Sequence, residues 1–320
     1  MPIEVRPVTP ADRPELLALF RAAFGAEAPA EDWAWKYDRC PHTAVSVGAF
    51  DAGIAVGFFG GLGTRYRGRE GDLPGLSAVD VMTAPSSRVL GRRTLFQRVA
   101  SEFFERNGAA GAPFVLGFPN DRHRLAGERT LGYVSVEPAA EWTRSVGRPG
   151  LLARLRRRRL RHRRGSAVSA AHDALAEELH TRAGWRTDRS RSTLDWRFAR
   201  PGVSYDVHEL LDGRGHSTAY AALRTVAGRA LLVDLQAADE GGGAVADLLD
   251  AIAEALAGTG AQTLVLRAGS GSGLAARAAE LGFAPADTDT FFTVRPFHPA
   301  FDLARAAPAF DYRFLDHDIF

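Results

Sequence analysis

The chain states one order of elements twice, and that repetition limits its fold more than any other feature. Val79-Asp-Val81 is followed by a loop, an apolar helix, a buried strand at 114–118 and Leu131-Gly-Tyr133. Val233-Asp-Leu235 is followed by a loop, a helix carrying Val245, Leu248, Leu249, Ile252 and Leu256, a strand at Thr263–Arg267, and Leu281-Gly-Phe283. From aspartate to Leu-Gly the spacing is 51 residues in the first copy and 47 in the second. Upstream, Trp35-Lys-Tyr37 with Pro41 is answered by Trp196-Arg-Phe198 with Pro201, and the Asp51-Ala-Gly53 turn by Asp212-Gly213. Self-similarity on this scale reads as a tandem duplication of one α/β unit. At 320 residues the chain has room for two such domains. The expected division is 1–145, an arginine-rich linker with a connecting helix at 146–185, and 186–320.

The first copy is the richer in chemistry. Strand residues 76–82 lead into a loop at 85–93. The following helix places Leu95, Phe96, Val99, Ala100, Phe103 and Phe104 on one side. The loop holds Arg88, Arg92 and Arg93 and no acid. A basic loop at a helix start meets unpaired first-turn N–H groups and the positive end of the macrodipole, which suits a diphosphate. The corresponding loop of the second copy, 237–243, has Asp239 and Glu240 and no arginine. Those charges repel a diphosphate, so one phosphate site per chain is expected, in the first half.

This unit resembles the acyl-CoA-binding core of the GNAT N-acetyltransferase superfamily. There a strand ending in a Val-x-Pro-like segment precedes Arg/Gln-x-x-Gly-x-Gly/Ala and a helix. The matching residues are Thr83-Ala-Pro85 and Arg88-Val-Leu-Gly-Arg-Arg93, with Gly117-Phe-Pro-Asn120 after the next strand, Trp33-Ala-Trp-Lys-Tyr37 before a proline, and the closing Leu-Gly-Tyr. The whole order is similar to a subgroup built from two tandem GNAT-like domains, each a mixed twisted sheet flanked by helices, here with a degenerate second domain.

The resemblance implies that backbone groups of Val81, Met82 and Thr83 pair with the pantetheine arm of acetyl-CoA. One N–H of that strand would stabilise the oxyanion. N–H groups of Leu90, Gly91, Arg92, Arg93 and Thr94, beside Arg88 and Val89, would hold the diphosphate. Asn120 would cap the splayed end of the next strand. The amine of an acceptor would attack the thioester directly, with Asp80 as the candidate base and Glu128 or Tyr133 as candidate proton donors. Asp80 is equally readable as structural, since Asp234 stands in the same place in the second copy. Trp33, Trp35 and Tyr37 are candidate walls of the acceptor pocket, although their echo in Trp196 and Phe198 favours packing. Two departures stand out. Arg93 replaces the last small residue of the loop motif, and Glu128 occupies the position, four before Gly132, where many members carry tyrosine.

Composition removes other classes. Hydrophobic residues at 46% and charged residues at 24% are ordinary globular values. No apolar run reaches the length of a membrane span, and Met-Pro-Ile-Glu-Val-Arg lacks a signal-peptide core. The single cysteine, Cys40, fits a reducing cytoplasm. Lys36 is the only lysine, and arginine with abundant alanine and glycine is the mark of a GC-rich bacterial genome. The nine histidines form no ligand-spaced pair, so no metal is expected. Gly269-Ser-Gly-Ser-Gly273 lacks the third glycine of a dinucleotide fingerprint. Arg154, Arg156, Arg157, Arg158, Arg159, Arg161, Arg163 and Arg164 carry no interleaved aromatic for base stacking, so a solvated linker is expected there rather than a nucleic-acid site.

Together these readings describe a cytoplasmic N-acetyltransferase acting on an amine-bearing acceptor. Its second domain would wall the acceptor cleft and serve a homodimer. Two rivals stay open: a catalytically silent acyl-CoA sensor or scaffold, and a binder of anionic surfaces through the arginine segment.

Overall fold

A computed structural model describes residues 3–26, 29–69, 71–85, 94–147, 160–182, 184–240, 243–298 and 301–317. The chain runs β1 (Glu4–Pro7), α1 (Arg13–Phe24), α2 (Ala30–Tyr37), β2 (Ala44–Asp51), β3 (Ile54–Gly68), β4 (Gly71–Thr83), α3 (Leu95–Ala109), β5 (Phe114–Gly117), α4 (Asp121–Leu131) and β6 (Val134–Pro138). It continues through β7 (Glu141–Ser145), β8 (Arg161–Gly165), α5 (His172–His180), β9 (Arg186–Thr187), α6 (Arg191–Phe198), β10 (Asp206–Leu211), β11 (Ser217–Val226) and β12 (Arg229–Ala237). The last elements are α7 (Gly243–Leu256), β13 (Thr263–Arg267), α8 (Gly273–Ala276), β14 (Ala284–Ala286), β15 (Phe291–Pro296) and α9 (Leu303–Ala306).

Two compact units result, and neither is continuous in sequence. The first comprises Met1–Arg65, Leu73–Pro138 and Asp289–Leu303; the second comprises Tyr66–Asp72, Ala139–Thr288 and Ala304–Phe320. One sheet has the order β1-β2-β3-β4-β5-β15-β6, and the other, read from its far end, β8-β10-β11-β12-β13-β7-β14. Position by position these are the same sheet. In each, the fourth and fifth strands are a parallel pair, β4 with β5 and β12 with β13. The sixth strand is exchanged: β15, late in the chain, lies between β5 and β6, while β7 lies between β13 and β14. The duplication read from the sequence is thus present, with one strand traded between the copies.

Strand alternation gives each sheet two buried faces. In the first unit, Val47, Ala49, Phe59 and Leu76 pack with Leu95, Val99 and Phe103 of α3. The next residues along the same strands, Phe50 and Phe58, turn the other way and meet Leu16 and Leu19 of α1 and Trp33 of α2. In the second unit, Ala221, Leu232 and Leu235 face Leu248, Leu249 and Ile252 of α7, while Tyr220, Ala222 and Val233 face Leu175, Leu179, Leu194 and Phe198 of α5 and α6. The β2–β3 hairpin closes through Ala52 (φ 49°) and Gly53 (φ 87°), both left-handed as a two-residue turn requires.

The arginine segment divides. Arg154, Arg156, Arg157, Arg158 and Arg159 lie outside the described residues. Arg161, Arg163 and Arg164 do not form a solvated linker; they lie on β8, antiparallel to β10 at the sheet edge. Arg163 Nη1 donates to the buried Glu209 at 2.5 Å, and Arg164 Nε donates to Asp206 at 2.8 Å. The acids that compensate this strand sit across the ladder, forty-odd residues away in sequence. Among the described residues, no helix is long and apolar enough to cross a membrane.

Candidate active site

The site is set by where β4 leaves β5. Their parallel ladder is two pairs long, Leu76 with Val115 and Ser77 with Leu116. β5 then ends at Gly117 and pairs on its other side with β15, whereas β4 runs on to Thr83. The stretch that leaves β5 includes Val81 and Thr83, both half-buried, and Met82, which is buried.

Asp80 lies at the centre of this stretch, with φ at 51°. Left-handed backbone at a non-glycine residue within a strand costs about 1–3 kcal/mol and persists only where its surroundings impose it. The surroundings come from α2. Lys36 and Tyr37 are consecutive in its last turn, and both reach the same carboxylate. Lys36 Nζ donates to Asp80 Oδ1 at 2.6 Å, and the Tyr37 hydroxyl donates to Oδ2 at 2.9 Å. Lys36 and Asp80 are 5% and 9% exposed, so this is a buried ion pair. Gly60 of β3 makes room for it, because a Cβ there would run into the Tyr37 hydroxyl and approach the Val79 carbonyl to 3.0 Å.

The aromatic residues of α2 divide by depth. Trp33 and Trp35 are core residues, 6% and 1% exposed, with the Trp33 ring 5.3 Å from Phe58 and 4.5 Å from Tyr37. Burial on that scale leaves Trp33 and Trp35 little surface to offer an acceptor. Tyr37 is half-buried and binds Asp80, so of the three it is the one with a polar role at the site.

The phosphate-loop residues Arg88, Val89, Leu90, Gly91, Arg92 and Arg93 lie outside the described residues. Thr94 caps α3: its hydroxyl accepts from Gln97 N at 3.3 Å, and its own N–H donates to Gln97 Oε1 at 2.7 Å. The expected phosphate donor at Thr94 is therefore engaged in a capping box. Asn120 caps α4, its Oδ1 accepting from His123 N at 3.0 Å, and also bridges to Thr290 just beyond β5.

Glu128 accepts from Arg124 Nη1 at 3.0 Å and from the Ser135 hydroxyl. The Ser135 hydrogen bond, reinforced by Arg124, holds its carboxyl below the usual glutamate range. An ionised carboxylate cannot serve as the proton donor considered for it. Tyr133 differs. Burial pushes its phenol above the ordinary value, so it keeps its proton through the neutral range. Its ring covers Gly127, where a Cβ would collide with it. Among the described residues, no cluster of three or more His, Cys, Asp or Glu could hold a metal ion.

Residues 4–133 match the family model of the acetyltransferase (GNAT) domain. They are a GNAT acetyltransferase domain. None of the curated proteins matches the chain in sequence. Among solved structures, a conserved protein of unknown function from Enterococcus faecalis V583, described as a probable N-acyltransferase, aligns with a TM-score of 0.68 at 14% identity over 93% of this chain and 73% of its own. A GCN5-related N-acetyltransferase from Kribbella flavida gives 0.64 at 16% identity over 92% and 71%. A tandem GNAT protein from the clavulanic acid biosynthesis pathway gives 0.61 at 14% identity over 93% of this chain and all of its own. At these identities the likeness is one of fold, and the fold is tandem GNAT.

The second GNAT-like unit repeats the carboxylate with different partners. Asp234 on β12 is fully buried. Its Oδ2 accepts from Arg189 Nε at 2.8 Å and from the Tyr220 hydroxyl, and its Oδ1 accepts from Arg189 Nη2 at 3.4 Å. Arg189 also binds Asp316 at 3.0 and 3.1 Å. Here β12 and β13 pair from Arg229–Thr263 to Leu232–Leu266, and their far ends are covered by the chain's own C-terminal segment. Gly269 N donates to the Tyr312 carbonyl at 3.2 Å, and the fully buried Arg313 donates through Nε to the Leu235 carbonyl at 3.3 Å. At the matching place in the second unit, then, the C-terminal segment is hydrogen-bonded to the end of β12 and to the residues just after β13.

The sequence had offered Lys36 only as a compositional oddity. Its signal was present: the chain's one lysine stands next to a predicted site residue, Tyr37, on a helix that reaches the candidate cofactor strand.

Proposed function

We propose that the first unit binds acetyl-CoA and transfers its acetyl group to an amine. The observation that carries this reading is the divergence of β4 from β5 at a left-handed Asp80, inside a segment that matches the GNAT domain. The residues fit such a co-substrate. A strand with backbone beyond its ladder suits an amide-rich arm, and a basic loop before α3 suits a diphosphate. Val81, Met82 and Thr83 would hold the arm, and Arg88, Val89, Leu90, Gly91, Arg92 and Arg93 the diphosphate. Thr94 and Asn120 keep supporting roles as helix caps.

In the transfer, the acceptor nitrogen forms a bond to the thioester carbon, the carbon–sulfur bond breaks, and the ammonium proton passes to base. Asp80 is the base candidate, with Tyr37 on its second oxygen. Tyr133 stays as the candidate proton donor to the thiolate, since Glu128 is held ionised. An N–H of β4 facing the carbonyl oxygen would contribute about 3–4 kcal/mol to the transition state. In the second unit the strand ends are bonded to the C-terminal segment around Arg313 and the loop after β12 is acidic, which supports one acyl-CoA site per chain.

Calorimetry with acetyl-CoA, followed by thiol release across a panel of amines, tests this. Absence of binding would sink it. Binding without thiol release would favour a silent acyl-CoA sensor, a reading that the ion-paired state of Asp80 and the ionised state of Glu128 keep in play. The anionic-surface reading loses support from Arg163 and Arg164, whose charges are met by Glu209 and Asp206.

A further inference from the structure

Of the 40 lysine and arginine residues in this chain, Lys36 alone is lysine. A coding bias that writes arginine elsewhere has left lysine at the one position that holds Asp80. The fold does not oblige it to. In the second unit the matching carboxylate, Asp234, is held by a guanidinium, and a buried arginine is accommodated there at 1% exposure. Even the repeat's own counterpart of Lys36, Arg197, is a buried arginine, its Nη2 donating to the His317 carbonyl at 2.6 Å.

The two cations hold their carboxylates differently. Arg189 is a fork and takes both oxygens of Asp234, Nε on Oδ2 and Nη2 on Oδ1. An ammonium is a point charge and takes one. Lys36 takes Oδ1 of Asp80, and Oδ2 goes to the Tyr37 hydroxyl, a partner that can rotate and can accept as well as donate. The geometry points to Lys36 as the positioning residue of the acyl-transfer site: it fixes Asp80 by one oxygen and sets the other against the Tyr37 hydroxyl, the side on which the acceptor's proton would be received, so this position requires lysine and not merely a cation. The inference rests on the acyl-transfer reading of the first unit.

Two measurements on the full chain test it. The first compares Lys36→Arg with Lys36→Met in thiol-release kinetics. We expect Lys36→Arg to melt within a few degrees of the parent and to bind acetyl-CoA with unchanged affinity. It should lose about a hundredfold in kcat, the scale of a displaced general base, with little change in acceptor KM. Lys36→Met should lose both kcat and melting temperature. Lys36→Arg turning over at the parental rate would overturn the proposal, since a purely structural ion pair tolerates arginine.

The second measurement needs no turnover. Lysine-specific nitrogen-15 labelling gives one side-chain signal in the whole protein, and we expect it to move on Asp80→Asn substitution and again on saturation with acetyl-CoA. A parental protein that binds acetyl-CoA but releases no thiol would end the acyl-transfer reading, and this inference with it as a statement about catalysis. A signal that ignores both Asp80→Asn and acetyl-CoA would refute the placement of Lys36 at the site, whatever the kinetics.

Discussion

Asp234→Asn is the sharpest test of how the second unit is held together. The carboxylate receives four hydrogen bonds: Oδ2 from Arg189 Nε and the Tyr220 hydroxyl, and Oδ1 from Arg189 Nη2 and Gln236 Nε2. Asparagine keeps the shape but offers one oxygen and one amide nitrogen. Whichever way the amide is turned, its N–H₂ faces a guanidinium nitrogen of Arg189, a donor that cannot accept. Breaking a buried ion pair by removing one partner costs about 3–5 kcal/mol. Arg189 keeps Asp316 at 3.0 Å, so its charge is not stranded, and the lower end of that range applies. At about 2–4 °C per kcal/mol for a unit of this size, the second unit's melting transition should fall by about 6–12 °C. Differential scanning calorimetry reads the transition, and an acetyl-CoA isotherm on the same sample checks the first unit, whose affinity should not change. A fall of less than about 2 °C, below what 1 kcal/mol would produce, would refute the account of Asp234 as the centre of a buried network.

Further outcomes follow from other parts of the molecule. Gly60→Ala places a methyl against the Tyr37 hydroxyl and the Val79 carbonyl. It should cost about 1–3 kcal/mol in chemical denaturation and lower kcat by displacing Tyr37 from Asp80. His180 has its pKa lowered from 6.5 to about 4, mainly by burial and secondarily by the charge of Arg67, against the opposing pull of Asp188 and Glu177. The unfolded chain therefore takes up its proton near pH 6.5 while the folded chain resists until about 4. Stability should drop as pH falls through that window, and His180→Gln should flatten the dependence of melting temperature on pH between 7 and 5. Gly91→Leu should abolish acetyl-CoA binding in calorimetry, whereas Gly242→Leu in the acidic loop of the second copy should leave it intact.

The sequence shows the duplication because its signals are local. The apolar stripe of α3, the Asp51-Ala-Gly53 turn and the two Val-Asp strands each fix their own stretch of backbone. The exchange of β7 and β15 is not local. Nothing in the residues of Phe291–Pro296 says which of two similar sheets receives them. Arg161–Gly165 shows the opposite failure. With no apolar alternation it reads as solvated, and only Asp206 and Glu209 on the neighbouring strand make it a sheet edge. At the site, Asp80 was legible from its place on the strand. Its partner Lys36 is 44 residues away, and no periodicity links them.

The two aspartates differ in one further respect, and it bears on what the first is for. Asp80 is left-handed at φ 51°, whereas Asp234 is absent from the described residues with positive φ. Anchoring a buried cation on this strand therefore needs no strain, as β12 demonstrates. A cost of about 1–3 kcal/mol borne by only one copy must serve something the other lacks. A left-handed residue re-aims the peptide that follows it, and the next residues are Val81 and Met82, beyond the pairing with β5. Glycine adopts this φ without penalty, so Asp80→Gly with Lys36→Met removes the ion pair and keeps the turn. If the strain serves the backbone, this double variant should keep acetyl-CoA affinity within about threefold while turnover is lost. Loss of affinity along with turnover would instead mean that the side-chain pair, and not the turn, holds β4 ready for its ligand.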